Sequence, residues 1–188
     1  MVVAVAGVAV AVLDAVKMQN ESGREPVLAC IGLGSNLDNP VVQIRTALDL
    51  IESLSDVSSV HRSGLYSNPP MGPQDQPDYV NAVALLRTDM EPLALLDALL
   101  GIEKQMGRDR DNSIHWGPRI IDLDLLVYGD ETIDLPRLTV PHSGISERNF
   151  VLLPLAEIAP ELNVPGQGEV RALAARFATD ELRRLPED

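Results

Sequence analysis

With 188 residues the chain is long enough for one compact domain and a short appendage, and 45% of its residues are apolar, enough to fill a core. A formal net charge of −13 excludes a basic nucleic-acid footprint across the chain and disfavours anionic membranes; an anionic ligand would need a local cluster of basic side chains. The single cysteine, Cys30, excludes an intrachain disulfide and a cysteine-built zinc site, and the composition fits a reducing, cytoplasmic setting.

Val2 to Leu13 is an uncharged run of Val, Ala, Gly and Leu. It is shorter than the ~20 residues of a spanning helix, and it lacks the basic start of a secretory signal, since Lys17 is the first basic residue. Gln19 to Pro26 is polar and turn-rich. Residues 1–26 therefore read as an extension and linker, and 27–188 as the folded domain.

Val27 to Leu33 is a β-type run, with Cys30 as a small buried hydrophobe, and it ends in Gly32-Leu-Gly-Ser-Asn36, read as a tight turn. That turn lacks the lysine and spacing of a phosphate loop. Asn39 can cap a helix that starts at Pro40 and continues with Val41, Ile44, Leu48 and Ile51 at helical spacing. Val57 to Tyr66 reads as a second strand. The loop from Ser67 to Asp78 holds four prolines, which forbid regular structure, and a loop that long in a small domain is usually functional. Tyr79 to Leu86 is a third strand, with Tyr79, Asn81, Val83 and Leu85 on one face. Thr88 or Asp89 can cap a second helix carrying Pro92, Leu93, Leu96, Leu100 and Glu103, and Gly107 can end it. A charged loop precedes a fourth strand, Arg119 to Tyr128. This order matches the split βαβ of a ferredoxin-like α+β sandwich. From Gly129 onward the chain reads as an annex with a short strand pair and one or two helices, the helical part being Ala172 to Phe177 and Leu182.

Residues two apart on a strand share a side, so Asp122 and Asp124 project together while Leu123, Leu125 and Val127 face apolar packing. Adjacent carboxylates repel unless a cation neutralises them, and hard oxygen donors favour Mg²⁺ shared with phosphates. Alone, Asp-x-Asp suits a solvated strand edge equally well. Arg108, Arg110 and Arg119 lie close in sequence, and cation-holding carboxylates beside guanidinium groups are the kit of phosphoryl transfer. Surface ion pairs with Asp109 and Asp111 would account for one of these arginines but not all three. Tyr79 and Asn81 can stack on and read a flat heterocycle, although an ordinary half-buried pair explains them as well. On residues alone His142 is a satisfied structural histidine and Phe150 a core side chain. A different Mg²⁺-dependent transferase, or a non-catalytic ligand-binding module, shares several of these features.

The stretches IGLGSNL (31–37), PPMGPQDQPDYVNA (69–82), GRDR (107–110), WGPRIIDLDLL (116–126), RLTVPH (137–142) and ERNFVLLPLAEIAPEL (147–162) occur together, in this order, in one family. From about Val27 onward the chain resembles 6-hydroxymethyl-7,8-dihydropterin pyrophosphokinase of the folate pathway. The resemblance implies a ferredoxin-like fold and a monomer acting on small molecules, with 27–188 as the catalytic domain. The implied reaction is direct displacement: the pterin hydroxyl attacks the β-phosphorus of ATP and AMP leaves. It implies that Asp122 and Asp124 hold two Mg²⁺ ions and that Arg108 and Arg119 close over the phosphates. Arg108, Arg110, Trp116, Arg119, Arg137, Thr139, His142 and Arg148 match nucleotide-side positions. Tyr79 and Phe150 match a pair that sandwiches the pterin, Asn81 the amide that reads its edge, and Pro69 and Met71 the lining of that pocket. Ser143 stands where some members have Tyr.

Overall fold

Side-chain alternation along three neighbouring strands gives the fold its two faces. The computed structural model describes residues 25–110, 117–177 and 182–186. In chain order its elements are β1 (Val27–Ser35), α1 (Pro40–Glu52), β2 (Val57–Arg62), β3 (Tyr66–Asn68), β4 (Tyr79–Thr88), α2 (Pro92–Gln105), β5 (Asp122–Tyr128), β6 (Ile133–Leu135), β7 (Leu138–Val140), a 3₁₀ turn (Ile145–Glu147), α3 (Asn149–Ile158), β8 (Asn163–Val164), β9 (Gly168–Glu169), α4 (Val170–Ala174) and β10 (Arg183–Arg184). The main sheet is six-stranded. β5, β1 and β4 lie side by side, β2 and β3 follow one another along the far edge of β4, and β10 adds to β3; every pair is antiparallel.

One face carries Ala29, Ile31 and Leu33 of β1, Val80, Ala82, Ala84 and Leu86 of β4, and Leu123 and Leu125 of β5. Against it pack Ile44, Ala47, Leu48 and Ile51 of α1 and Leu95, Leu99 and Ile102 of α2. On the opposite face Cys30, Val83 and Leu85 are covered by Val151, Leu152, Leu155 and Ile158 of α3 and by Leu173 and Ala174 of α4. This cover reaches only the half of β4 that holds Val83 and Leu85. The other half of that face carries Gly32, Gly34, Tyr79, Asn81, Asp122 and Asp124, and there a cavity opens.

Several expectations change in register. The glycine run is no turn: β1 continues to Ser35, because the glycines let side chains of neighbouring strands cross over it. A methyl group on Gly32 would lie 3.3 Å from Leu126 Cδ1, and one on Gly34 would lie 3.0 Å from Asn81 Oδ1. Val127 does not share a face with Leu123 and Leu125. The register between β1 and β5 shifts at Cys30/Ile31, so Leu126 is the extra residue of a bulge, and both it and Val127 turn to the α3 side. The strand expected over Val57 to Tyr66 is split in two, since Ser63 Oγ accepts the Val83 N–H at 3.0 Å and so interrupts the ladder. The last long strand begins at Asp122 instead of Arg119, whose backbone is bound to Asn36.

The helices depart from expectation in smaller ways. α2 buries Leu95, Leu99, Ile102 and Glu103, while Leu93 is 38% exposed; its segment is apolar almost all round, so several stripes fit it. Pro40 and Pro92 do start α1 and α2, but neither Asn39 nor Glu91 caps through its side chain. Thr88 instead ties β4 down, donating to Asp56 O at 2.7 Å. Gly107 does end α2, with a φ of 89°. In the annex, α3 was not anticipated, α4 is shorter and earlier than Ala172 to Phe177, and Leu182 precedes a strand. Residues 1–24 and Trp116 lie outside the described residues.

Cys30 is fully buried and its thiol pKa is pushed up by that burial. A thiol reagent such as DTNB should leave the native protein unlabelled and react only after unfolding in guanidinium; rapid labelling of the native protein would contradict this packing.

Candidate active site

The cavity has a volume of about 400 Å³ and is built on the open half of the sheet. β5 contributes Asp122 and Asp124, β4 contributes Tyr79 and Asn81, and Gly32 and Gly34 of β1 form the low floor between them. Met71 comes from the Pro-rich loop, Arg108, Arg110 and Arg119 from the segments flanking α2 and β5, and His142, Arg148 and Phe150 from the annex. The structure thus gathers eleven of the residues singled out in the sequence around one space. Pro69 lines an adjoining cavity with Met71 and Phe150. Arg137 and Thr139 do not line the main cavity: both sit on or beside the β6–β7 hairpin, where Arg137 is ion-paired with Asp97.

Charge organises the site around the two aspartates. Asp122 Oδ1 accepts from Arg108 Nη1 and its Oδ2 from Arg119 Nη1, with Arg110 Nη2 3.6 Å away. Burial pushes the Asp122 carboxyl up, but the Arg108 and Arg119 guanidiniums overcome this and hold it below the usual carboxylate range. Asp124 is the reverse. Burial and the neighbouring Asp122 charge hold its carboxyl above the usual range, and His142 and Arg148 offset this only in part. Arg148 Nη1 lies 3.6 Å and His142 Nε2 3.9 Å from Asp124 Oδ2. Burial lowers the His142 pKa, so the neutral ring is favoured. Its Nδ1 accepts the Gly144 N–H at 3.0 Å, which leaves the ring proton on Nε2, facing Asp124.

The aromatic residues are already engaged. Tyr79 donates its hydroxyl to Gly117 O at 2.8 Å, and the Arg119 guanidinium lies 5.9 Å from its ring centre. Arg148 stands 6.0 Å from the Phe150 ring. Asn81 Nδ2 donates to Asn68 Oδ1 at 2.6 Å, which fixes the amide over Gly34.

Two buried residues matter more than their sequence context suggested. Asn36, at the end of β1, accepts the Arg119 N–H on Oδ1 at 2.8 Å and donates from Nδ2 to Gln76 Oε1 at 3.0 Å and Pro77 O at 3.1 Å. One amide therefore ties the Pro-rich loop and the Arg119 segment to the sheet. Glu103, on α2, receives Arg108, Arg110 and a β5 backbone N–H. The signal for Glu103 was an acid that follows Leu95 and Leu99 at four-residue spacing, inside an apolar stripe. For Asn36 no local signal exists, since its partners are 40 and more residues away. Arg108 and Arg110 reach inward to Glu103 and Asp122, contacts that surface ion pairs with Asp109 and Asp111 alone do not explain; Asp111 lies outside the described residues.

A sequence model of the 7,8-dihydro-6-hydroxymethylpterin-pyrophosphokinase (HPPK) family matches residues 30–160. The chain belongs to the HPPK family. It is 48% identical over 156 residues to a 2-amino-4-hydroxy-6-hydroxymethyldihydropteridine pyrophosphokinase of Pseudomonas aeruginosa, covering 83% of this chain and 95% of that one. A Haemophilus influenzae protein of the same name is 46% identical over 159 residues, covering 85% and 98%. Among solved structures, a Plasmodium falciparum HPPK-DHPS triple mutant with SDX-DHP superposes with a TM-score of 0.68 at 17% identity, over 87% of this chain and 48% of that one. The chain spans about half the length of that HPPK-DHPS chain, and the likeness concerns the mixed helical and antiparallel-sheet fold.

For an HPPK the donor set has a clear chemical character. Among the described residues no group of three or more His, Cys, Asp or Glu side chains is arranged to hold a metal ion. Two carboxylates opening onto a cavity, with no thiolate in reach, suit Mg²⁺, which completes its shell with water and phosphate oxygens.

Proposed function

We propose that this chain transfers pyrophosphate from ATP to the hydroxymethyl group of 6-hydroxymethyl-7,8-dihydropterin, releasing AMP, as a step of folate biosynthesis. The observation that carries the reading is the cavity itself, which puts a pair of carboxylates, four arginines and two aromatic rings within one space. Asp122 and Asp124 would hold two Mg²⁺ ions, which when bound supply neutralisation of phosphate charge and a lower pKa for the attacking hydroxyl. Arg108, Arg110 and Arg119 orient the phosphates and stabilise charge that develops on them. Tyr79 and Phe150 flank the pterin, and Asn81 presents its amide to the ring edge. Trp116, Arg137 and Thr139 complete the nucleotide side, which would draw the β6–β7 hairpin into ATP binding. Catalysis then rests on positioning, with the Pro-rich loop and the segment after Arg108 excluding water.

The strand order β5-β1-β4-β2 with two helices on one face supports a ferredoxin-like description. Residues 27–188 form the catalytic domain in this reading, and 1–26 an extension before the family match, which begins at residue 30. The enzyme works as a cytoplasmic monomer on small molecules, without nucleic acid or membrane; its net charge of −13 and single, buried cysteine are in keeping with that. No helix of the described residues is long and apolar enough to cross a membrane.

The test is AMP formation from ATP and Mg²⁺, with and without the reduced pterin, for wild type and Asp122→Ala. Pterin-dependent AMP that vanishes in the variant is expected; ATP turnover indifferent to pterin would sink the reading. A second check addresses the pterin side. Gly34→Ala pushes a methyl group against Asn81 Oδ1, so pterin affinity should fall about tenfold, or about 1.4 kcal/mol, with nucleotide affinity unchanged. Unaltered pterin binding in that variant would remove Asn81 from the pocket.

A further inference from the structure

Glu103 lies near the end of α2 with 1% of its surface exposed. A carboxylate that deep is costly unless its lone pairs are engaged. Here Oε1 accepts from Arg108 Nη1 at 2.9 Å, Arg110 Nη2 at 2.7 Å and the Leu123 N–H at 2.8 Å, and Oε2 accepts from Arg110 Nε at 2.7 Å. The two Arg110 contacts form a fork, the geometry that fixes a guanidinium plane as well as its charge. Glu103 itself does not line the cavity, yet both arginines it holds do. So do Asp122 and Asp124, which flank Leu123 on a strand that, among the described residues, pairs only with β1 in the sheet. At that point a side-chain carboxylate takes the place of a neighbouring strand.

Arg108 is shared between two acids, since its Nη1 reaches Glu103, Ile121 O and Asp122 Oδ1. A cation that takes up Asp122 competes with Arg108 and Arg119 for the same oxygens. Glu103 is the carboxylate that Arg108 still holds after that exchange. We propose that Glu103 is a positioning residue: it keeps Arg108 and Arg110 at the phosphate side of the cavity when Asp122 passes to a cation, and it braces β5 between the two aspartates. The proposal rests on the pyrophosphokinase reading. A neutral side chain could fill the same space between α2 and β5; what the carboxylate adds is an acceptor for the Leu123 N–H and the placement of two guanidiniums.

Glu103→Gln keeps the size and one acceptor but loses the charge. Binding of Mg²⁺ and α,β-methylene-ATP, followed by calorimetry, should weaken about tenfold or more, the worth of one charge-assisted hydrogen bond. Pterin affinity should stay within about twofold, and kcat should fall while KM for pterin holds. Analogue affinity within about twofold of wild type would overturn the proposal, and so would a parallel loss of pterin affinity, analogue affinity and melting temperature. Should Glu103→Gln fail to fold, Arg110→Lys tests the same contact from the other end. It keeps a positive charge but cannot form the fork, so it should lose as much analogue affinity as Arg110→Ala; wild-type affinity in Arg110→Lys would overturn the proposal. Absence of pterin-dependent AMP in the wild type would defeat the pyrophosphokinase reading instead, and leaves the analogue-binding comparison intact.

Discussion

Asp122→Asn and Asp124→Asn should each lower pterin-dependent AMP formation by about a thousandfold or more, yet move the melting temperature of the cation-free protein in opposite directions. The two carboxylates sit two residues apart on one strand face but in different fields. Asp122 lies between Arg108 and Arg119, and its carboxyl is held below the ordinary range. A carboxyl with a depressed folded pKa contributes stability above the unfolded pKa and loses it as pH falls through the folded value. Removing its charge takes from Arg119 its acid partner and from Arg108 one of its two, so Asp122→Asn should cost about 3 kcal/mol and roughly 6 °C. Asp124 carries a raised pKa, from burial and from the charge on Asp122. Its ionised form opposes folding at neutral pH, and that penalty fades as pH falls through the raised folded value and is gone below the ordinary aspartate value. Asp124→Asn removes the penalty, so the melting temperature should rise. Melting in EDTA, with AMP release measured separately, decides the matter; a fall in melting temperature for both variants would show that Asp124 is not held in an unfavourable charged state.

Asn36→Ala should cost about a hundredfold in kcat/KM, the effect of displacing catalytic groups by an ångström or so. The amide holds the Arg119 N–H and the Gln76–Pro77 end of the Pro-rich loop at once. Its loss should also remove about 1–3 kcal/mol of stability, because Asn36 is buried and its partners would be left unmatched. The informative pairing is urea unfolding beside steady-state kinetics in both substrates. Kinetics like wild type, with stability alone reduced, would mean that the two loops find their places without Asn36.

The main sheet and its two helices were legible because period-2 and period-3.6 patterns are strong over Val27 to Ile51 and Tyr79 to Tyr128. The aspartate pair was legible for the same reason. What escaped depends on contacts distant in sequence. The face of Val127 is set by a bulge opposite Cys30/Ile31, which no alternation rule reveals. The glycines of β1 are explained by Leu126 and Asn81 crossing over them, not by a turn. α3 was hidden by Pro154 in its middle, a residue that normally argues against a helix. Glu103 was visible in the right element, but its role depends on arginines that fold back onto it from the following loop.

β4 illustrates how one strand can serve two purposes. Its even-numbered face is core along the whole length, from Val80 to Leu86. Its odd-numbered face is core at Val83 and Leu85 and lines the cavity at Tyr79 and Asn81. In the proposed reading, the residues that would recognise the pterin are carried on one end of an element whose other end is clamped on both sides. On that reading, substrate preference could drift by exchanging side chains at Tyr79 and Asn81 without repacking the foundation, and a library randomised at those two positions should retain a high proportion of folded members.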